Sequence, residues 1–391
     1  MNFFSLSLPV KIDFGWGITN SLSSRIKYFG DNALIFTGES ALHESGILNN
    51  ITDALRDAAI TYRIYKISTE PSVEAADKIA EDIRSEGTEN ISVIVAIGGG
   101  SVIDAAKAAG ALLNEKRPVH DFLGRQAEPL TGRMIPFIAV PSTSGTGSET
   151  SNTALLGEKD YRKHVLRHDS LIPDLTLIDP SLTITVPHAI MLNSVMMCLS
   201  HLIEMYISND ASSMTDVLMT EGIRLVNANM RQALKGTGDP EVHDSLAYAS
   251  MLSGIGTANA SFASYSGIAQ AVSSLYDIPY GAVSAALLYA STHINIRKVQ
   301  LFDPNSTATA KFAMIGAVLS GLDYDFEKHH VLLRAASQKL LDMRNEYSVP
   351  SLKELGVSSD DFYKIATSVS QGSNPVELAE TELTEILEMS Y

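Results

Sequence analysis

ISVIVAIGGGSVIDAAKAAGALL, residues 91–113, sets a β-rich run against an alanine-rich helical one, with Gly98, Gly99 and Gly100 at the join. A continuous apolar strand suits a parallel sheet covered by helices on both faces, because neither side of such a strand meets water. Glycines let the backbone approach a ligand closely, and the free N–H groups and positive dipole end of the following helix attract a phosphate. The same three glycines also suit a tight strand-to-helix turn with no ligand. The spacing is not GxGxxG, so the standard Rossmann fingerprint does not apply.

The pattern extends outward from this stretch. KIDFG, NALIFTG, TYRIYKIS, MIPFIAVPS and LTLIDP are further β-rich runs, separated by helical stretches such as SLSSRIKYFG and EAADKIAEDIRSEG. Strand and helix alternating in this way predict an α/β domain with a parallel sheet and helices on both faces. Beyond DPSLTITVP the β-rich runs nearly vanish. Apolar residues then recur at spacings of three and four over 188–208, 214–234, 243–259, 284–293, 307–322 and 326–343, which predicts an all-α second half. Pro187 suits the first turn of the helix that follows it. The expected division is an α/β domain over 1–181 and a helical domain over 182–391.

A second loop, VPSTSGTGSETS, crowds Ser142, Thr143, Ser144, Thr146 and Ser148 around Gly145 and Gly147 just after a β-rich run. Hydroxyls and amides at the C-terminal edge of a parallel sheet lie where open α/β sheets bind ligands, although a Ser/Thr-rich surface loop reads the same way. The net charge of −16 and the lack of clustered Lys and Arg argue against a nucleic-acid partner and favour a small molecule. Cys198 is the sole cysteine, which excludes an intrachain disulfide and fits a reducing compartment. The N-terminal MNFFSLSLPVKIDFGWG lacks a signal-peptide pattern, and no apolar run reads as a bilayer span. These features predict a cytoplasmic protein without a membrane partner.

GGGSVIDAAK, PSTSGTGSE, IPDLTLIDPSLT and the closing SNPVELAETELTEIL resemble the iron-containing, or group III, alcohol dehydrogenases, and they occur in that family's order. The resemblance implies a dehydroquinate synthase-like architecture: a dinucleotide-binding α/β domain, a helical domain, and a cleft between them where NAD(P) meets an alcohol or aldehyde. It also implies a homodimer. By the same carry-over, Gly98, Gly99, Ser101 and Asp104 lie along the cofactor, as do Thr143, Thr146 and Ser148, and Lys163 matches a position that is usually lysine. In NAD-preferring relatives an aspartate at the end of the second strand holds the adenine-ribose hydroxyls. Here Gly38 stands in its place and Glu39 follows, so the electrostatics point both ways, with a slight lean to NADP(H).

Family members hold a divalent cation with one aspartate and three histidines. The resemblance puts Met197 at the aspartate, His201 at the first histidine, and Ser266 and Tyr280 at the other two. A further family histidine, near the nicotinamide, falls on Gln270. A thioether, an alcohol, a phenol and one imidazole are a poor donor set for a hard or borderline dication, so no tightly bound metal is expected. Proton transfer then falls to Tyr280 or His201, with Ser266 and Gln270 as hydrogen-bonding groups for the substrate oxygen. The bland alternatives are a Tyr280 in the turn DIPYGAV with its hydroxyl in solvent, and a core His201 bonded to Glu204.

These observations predict a metal-independent NAD(P)-dependent oxidoreductase that interconverts a hydroxyl and a carbonyl group. The alternatives are a catalytically inactive dinucleotide-binding protein, acting as sensor or scaffold, and an alcohol dehydrogenase with a rearranged metal site.

Overall fold

The computed structural model describes residues 4–391 apart from positions 10, 40, 69, 125–126, 133, 159–162 and 277. They form two compact units, one of Ser7–Pro187 with Gly238–Ala247, the other mainly of His188–Thr237 and Tyr248–Tyr391.

The first unit is built on eight strands: β1 (Lys11–Phe14), β2 (Asn32–Gly38), β3 (Thr61–Ile67), β4 (Val93–Gly98), β5 (Phe137–Pro141), β6 (Thr153–Gly157), β7 (Lys163–Arg167) and β8 (Leu175–Ile178). Six of them form one wholly parallel sheet in the order β1-β8-β5-β4-β2-β3. Its helices are α1 (Leu22–Phe29), α2 (Ala41–Glu44), α3 (Ile47–Asp57), α4 (Val73–Ser85) and α5 (Gly100–Leu112).

Alternation along the strands sends side chains to two separate cores. Leu34, Phe36, Ile94 and Ala96 pack with Ile79 and Ile83 of α4 and Ile103 and Ala106 of α5. Ala33, Ile35, Val93, Val95 and Ile97 face the other way and pack with Ile26 of α1 and Leu48, Ile51 and Leu55 of α3. Both faces of the sheet are therefore dry, which is why the central strands read as unbroken apolar runs. All six β-rich runs of the sequence are strands of this sheet. The antiparallel pair β6–β7 is an addition that the sequence pattern did not signal.

The second unit contains α6 (His188–Ile207), α7 (Ser213–Leu234), the greater part of α8 (Pro240–Asn259), α9 (Ser264–Tyr276), α10 (Tyr280–Phe302), α11 (Thr307–Ser320), α12 (His329–Glu346), α13 (Phe362–Ser368) and α14 (Glu380–Met389). Pro187 lies just before α6 and not within its first turn. Contrary to the sequence expectation, α6 is long and apolar enough to cross a bilayer, yet nearly all of it is buried within the protein. It packs against α7 and α10, as a central core helix does.

Tyr280 differs from its expected setting. It does not sit in a turn but opens the 23-residue helix α10, with Pro279 as N-cap at φ −52° and ψ 126°. Proline just outside a helix start loses no intrahelical bond, since the first N–H groups have no acceptor there.

Candidate functional site

The loops after β2, β4 and β5 lie at the C-terminal ends of three neighbouring strands, since β4 pairs with β2 on one side and β5 on the other. The glycine loop after β4 and the Ser/Thr loop after β5 are packed together. Ser142 donates its N–H to the Gly98 carbonyl at 2.9 Å. A Cβ on Gly99 would lie 3.3 Å from Thr143 Oγ1, and one on Gly100 would lie 2.7 Å from Thr146 Oγ1 and Cγ2. Only hydrogen at Gly100 lets Thr146 stand this close to the start of α5, and a Cβ on Gly99 would crowd Thr143 by a few tenths of an ångström. Gly99, the N-cap of that helix, offers no side chain to its first N–H groups.

Within the second loop, Thr146 donates to Ser148 Oγ at 2.9 Å and accepts from the Ser148 N–H at 3.1 Å. Asp104, one turn into α5, accepts from the Leu155 N–H of β6 at 3.0 Å. Burial raises its carboxyl to about 6 against the opposing pull of Lys107. Gly38 ends β2 without a positive φ, and a Cβ there would meet nothing within 4 Å. The backbone does not demand glycine at Gly38, which leaves open space at the strand end. Glu39 beside it is exposed, and the hydroxyl of Thr37 just before it is buried with no hydrogen-bond partner among the described residues. Lys163, at the start of β7, forms an ion pair with Glu70.

Sequence reasoning missed Lys107. Its side chain is wholly buried, and Nζ donates to the carbonyls of Ser148 at 2.5 Å, Ser151 at 2.7 Å and Thr153 at 3.2 Å. Burial lowers its amine to about 8, opposed by Asp104 and Glu149. The lysine clamps the Ser/Thr loop onto α5. A lysine in the middle of the otherwise apolar AAKAAGALL was the available signal.

In the second unit the four positions that the resemblance assigns to cation ligands come together. Met197 and His201 lie one turn apart on α6, and Met197 Sδ is 3.5 Å from where a Cβ on Gly281 would stand, beside Tyr280. His201 Nε2 is 3.4 Å from Tyr280 Oη, and its ring packs edge-on against Phe262, with centroids 5.2 Å apart. Tyr280 donates to Ser266 Oγ at 2.9 Å. Ser266 in turn donates its hydroxyl to Glu204 Oε2 and its N–H to Oε1 at 2.8 Å.

Imidazole, phenol, alcohol and carboxyl thus form one hydrogen-bonded series. Tyr280, His201 and Ser266 are buried, and Glu204 is fully so. The tyrosine hydroxyl is engaged inside the protein, away from solvent, and Glu204 bonds Ser266. Gln270, one turn beyond Ser266 on α9, is half-buried and makes no hydrogen bond to another described residue.

Burial raises the Tyr280 phenol well above its ordinary value, with the nearby Glu204 adding to the effect. Burial also raises the Glu204 carboxyl to about 7, against the hydrogen bonds from Ser266. A neutral phenol, a thioether, an alcohol and one imidazole do not fit a divalent cation, whose ligands must be anionic or strongly basic. Among the described residues no three His, Cys, Asp or Glu side chains gather in a way that could hold a metal. The first unit's loops, by contrast, fit a dinucleotide: the glycine cradle, the uncapped helix start and the flanking hydroxyls suit a diphosphate.

Comparison with known proteins agrees with both halves. Residues 9–180 match the family model described as iron-containing alcohol dehydrogenase, and residues 191–391 match its C-terminal domain. The chain is 25% identical to the NAD-dependent methanol dehydrogenase of Bacillus methanolicus, over 96% of this chain and 95% of that one. It is 26% identical to the NADPH-dependent butanol dehydrogenase of Clostridium saccharobutylicum, over 98% and 97%. Among solved structures it resembles 1,3-propanediol oxidoreductase, with a TM-score of 0.88, 27% identity and full coverage of both chains. With both of its halves matched, the chain belongs to the iron-containing alcohol dehydrogenase family.

Proposed function

We propose that the protein is an NAD(P)-dependent oxidoreductase that interconverts a hydroxyl and a carbonyl group on a small molecule without a catalytic metal, with Tyr280 as its acid–base group. The observation that carries this reading is the buried series His201–Tyr280–Ser266–Glu204 at the place where relatives are expected to hold a cation. A Lewis acid contributes several kcal/mol to such a reaction by polarising the carbonyl or acidifying the alcohol. A positioned phenol replaces part of that contribution by supplying a proton as the alkoxide forms.

The nicotinamide, when bound, supplies or takes the hydride. Gly98, Gly99 and Ser101 would hold its diphosphate at the start of α5, with Thr143, Thr146 and Ser148 beside it and Lys107 keeping that loop in place. The open space at Gly38 supports a lean towards NADP(H), while the exposed carboxylate of Glu39 suits the ribose hydroxyls of NAD. Relatives named for both cofactors support the broader statement of a nicotinamide enzyme. In the second unit, the neutral phenol of Tyr280 donates from Oη, His201 shares that oxygen, and the unengaged Gln270 amide is available to a substrate oxygen. Names such as methanol and butanol dehydrogenase among the relatives point to a primary alcohol or its aldehyde as the substrate class.

Fluorescence titration with NADH and NADPH, followed by assay of butanal, propanal and longer aldehydes with the tighter-binding cofactor, tests the reading. Binding followed by cofactor oxidation supports it. Binding with no turnover across the series favours a dinucleotide-binding protein without catalysis, and absence of binding removes the nicotinamide altogether.

A further inference from the structure

We propose that Glu204 is the inner terminus of a proton relay running from Tyr280 through Ser266. The inference rests on the reading above, in which Tyr280 exchanges a proton with the substrate.

Glu204 is a fully buried acid in one of the most apolar helices of the chain, and among the described residues it forms no ion pair. A buried carboxyl with no cation is costly unless it is hydrogen-bonded or protonated. Its hydrogen bonds come from the N–H and the hydroxyl of Ser266 and from the backbone N–H groups of Ala263 and Tyr265. That hydroxyl is also the acceptor for Tyr280, so Ser266 takes one proton in and passes one on. Hydroxyls bonded on both sides are what a relay needs, since each can hand over its own proton as it receives another. The order of donors points inward, from Tyr280 to Ser266 to Glu204.

In the oxidation direction the substrate hydroxyl gives its proton to Tyr280 Oη. Tyr280 passes its own to Ser266 Oγ, and Ser266 passes its own to Glu204 Oε2. A bound oxidised nicotinamide would take the hydride from carbon, so that the carbonyl forms and the carboxylate becomes a carboxylic acid. Reduction runs the same series backwards and returns Glu204 to the carboxylate; once product has left, the proton passes between Glu204 and water in the vacated pocket along the same Ser266–Tyr280 series, which resets the acid for the next turnover. Burial raises the Glu204 carboxyl to about 7, where a group can hold or release a proton near neutral pH. A carboxylate that only oriented Ser266 would do the same positioning without ever being protonated.

Glu204→Gln separates the two roles, because the amide keeps an acceptor oxygen for Ser266 but carries no transferable proton. With NADPH and butanal, kcat is expected to fall at least about tenfold while dinucleotide affinity holds. The solvent deuterium isotope effect of the wild type should be altered or lost in the variant. Ser266→Ala, which leaves Glu204 in place and breaks the series, should lower kcat similarly.

Infrared spectroscopy of the protein without cofactor gives a readout independent of turnover. In the difference spectrum of wild type minus Glu204→Gln, in which the buried Asp104 cancels, a carboxylic-acid C=O band is expected at about pH 6 and lost by about pH 8. Wild-type kcat and isotope effect in Glu204→Gln, or no such band at the lower pH, overturn the relay alone. Cofactor binding by the wild type with no reduction of any aldehyde overturns the oxidoreductase reading itself, and the relay with it.

Discussion

Ser266 and Glu204 are joined twice, through the serine N–H to Oε1 at 2.8 Å and through its hydroxyl to Oε2. The double bond of contact fixes both oxygens of the acid and aims the serine hydroxyl inward. Ser266 Oγ is left as an acceptor, and Tyr280 fills that role at 2.9 Å. A carboxylate three residues beyond the family's histidine position therefore sets the direction of every hydroxyl in the site.

Tyr280→Phe removes the donor and leaves the ring. Turnover should fall at least about tenfold, with NAD(P)H affinity nearly unchanged, because general acid catalysis is lost while the first unit's loops are untouched. Steady-state kinetics with a parallel fluorescence titration measures both, and wild-type turnover would exclude the phenol as the proton donor.

The pH dependence of stability has a sign. Glu204 moves from its ordinary value of 4.5 up to about 7 on folding. Between those values the folded state holds a proton that the unfolded state has lost, so this group's contribution to stability declines as pH rises through that window and is constant above it. Glu204→Gln has no such decline. Its melting temperature relative to the wild type should therefore climb from about pH 5 to about pH 7 and then level off. A difference that stays constant across the range would mean that the acid is ionised throughout.

Gly100→Ala tests the glycine cradle. The added methyl would stand 2.7 Å from the Thr146 side chain, too close for contact, so Thr146 or the start of α5 must shift. Dinucleotide affinity should weaken about tenfold or more, while the melting temperature changes little, since alanine is the better helix former. Equal affinity by fluorescence titration would show that the close approach of the two loops does not matter for binding.

Lys107→Met keeps the length of the side chain and removes its donors. The carbonyls of Ser148, Ser151 and Thr153 lose their shared partner, and Asp104 loses its neighbouring cation. Urea unfolding should show a loss of about 1–3 kcal/mol. The Ser/Thr loop should also exchange its amide protons faster; unchanged exchange over 142–153 would mean that the loop holds its shape without the clamp.

The sheet was legible because burial on both faces leaves a plain trace: all six β-rich runs became its strands. The β6–β7 pair was not, because its strands are short and half-exposed, with partly apolar sequences that carry no strong alternation. Helix α10 was read too short, since Pro279, Tyr280 and Gly281 look like a turn when the chain is read locally. The residues of the second site were legible individually through the family pattern. Their connection was not: Tyr280 and Ser266 are fourteen positions apart and Ser266 and Glu204 sixty-two, and only packing of α6, α9 and α10 brings them within hydrogen-bonding distance.

Turnover before and after exhaustive chelation, with metal content measured on the same samples and Fe(II) or Zn(II) added back, tests the central claim most directly. If Tyr280 and its hydrogen-bonded partners do the work of a Lewis acid, the wild type should contain no stoichiometric metal, keep its kcat through chelation and gain nothing from added ions. Activity that is lost on chelation and restored by one equivalent of a divalent cation would contradict the account.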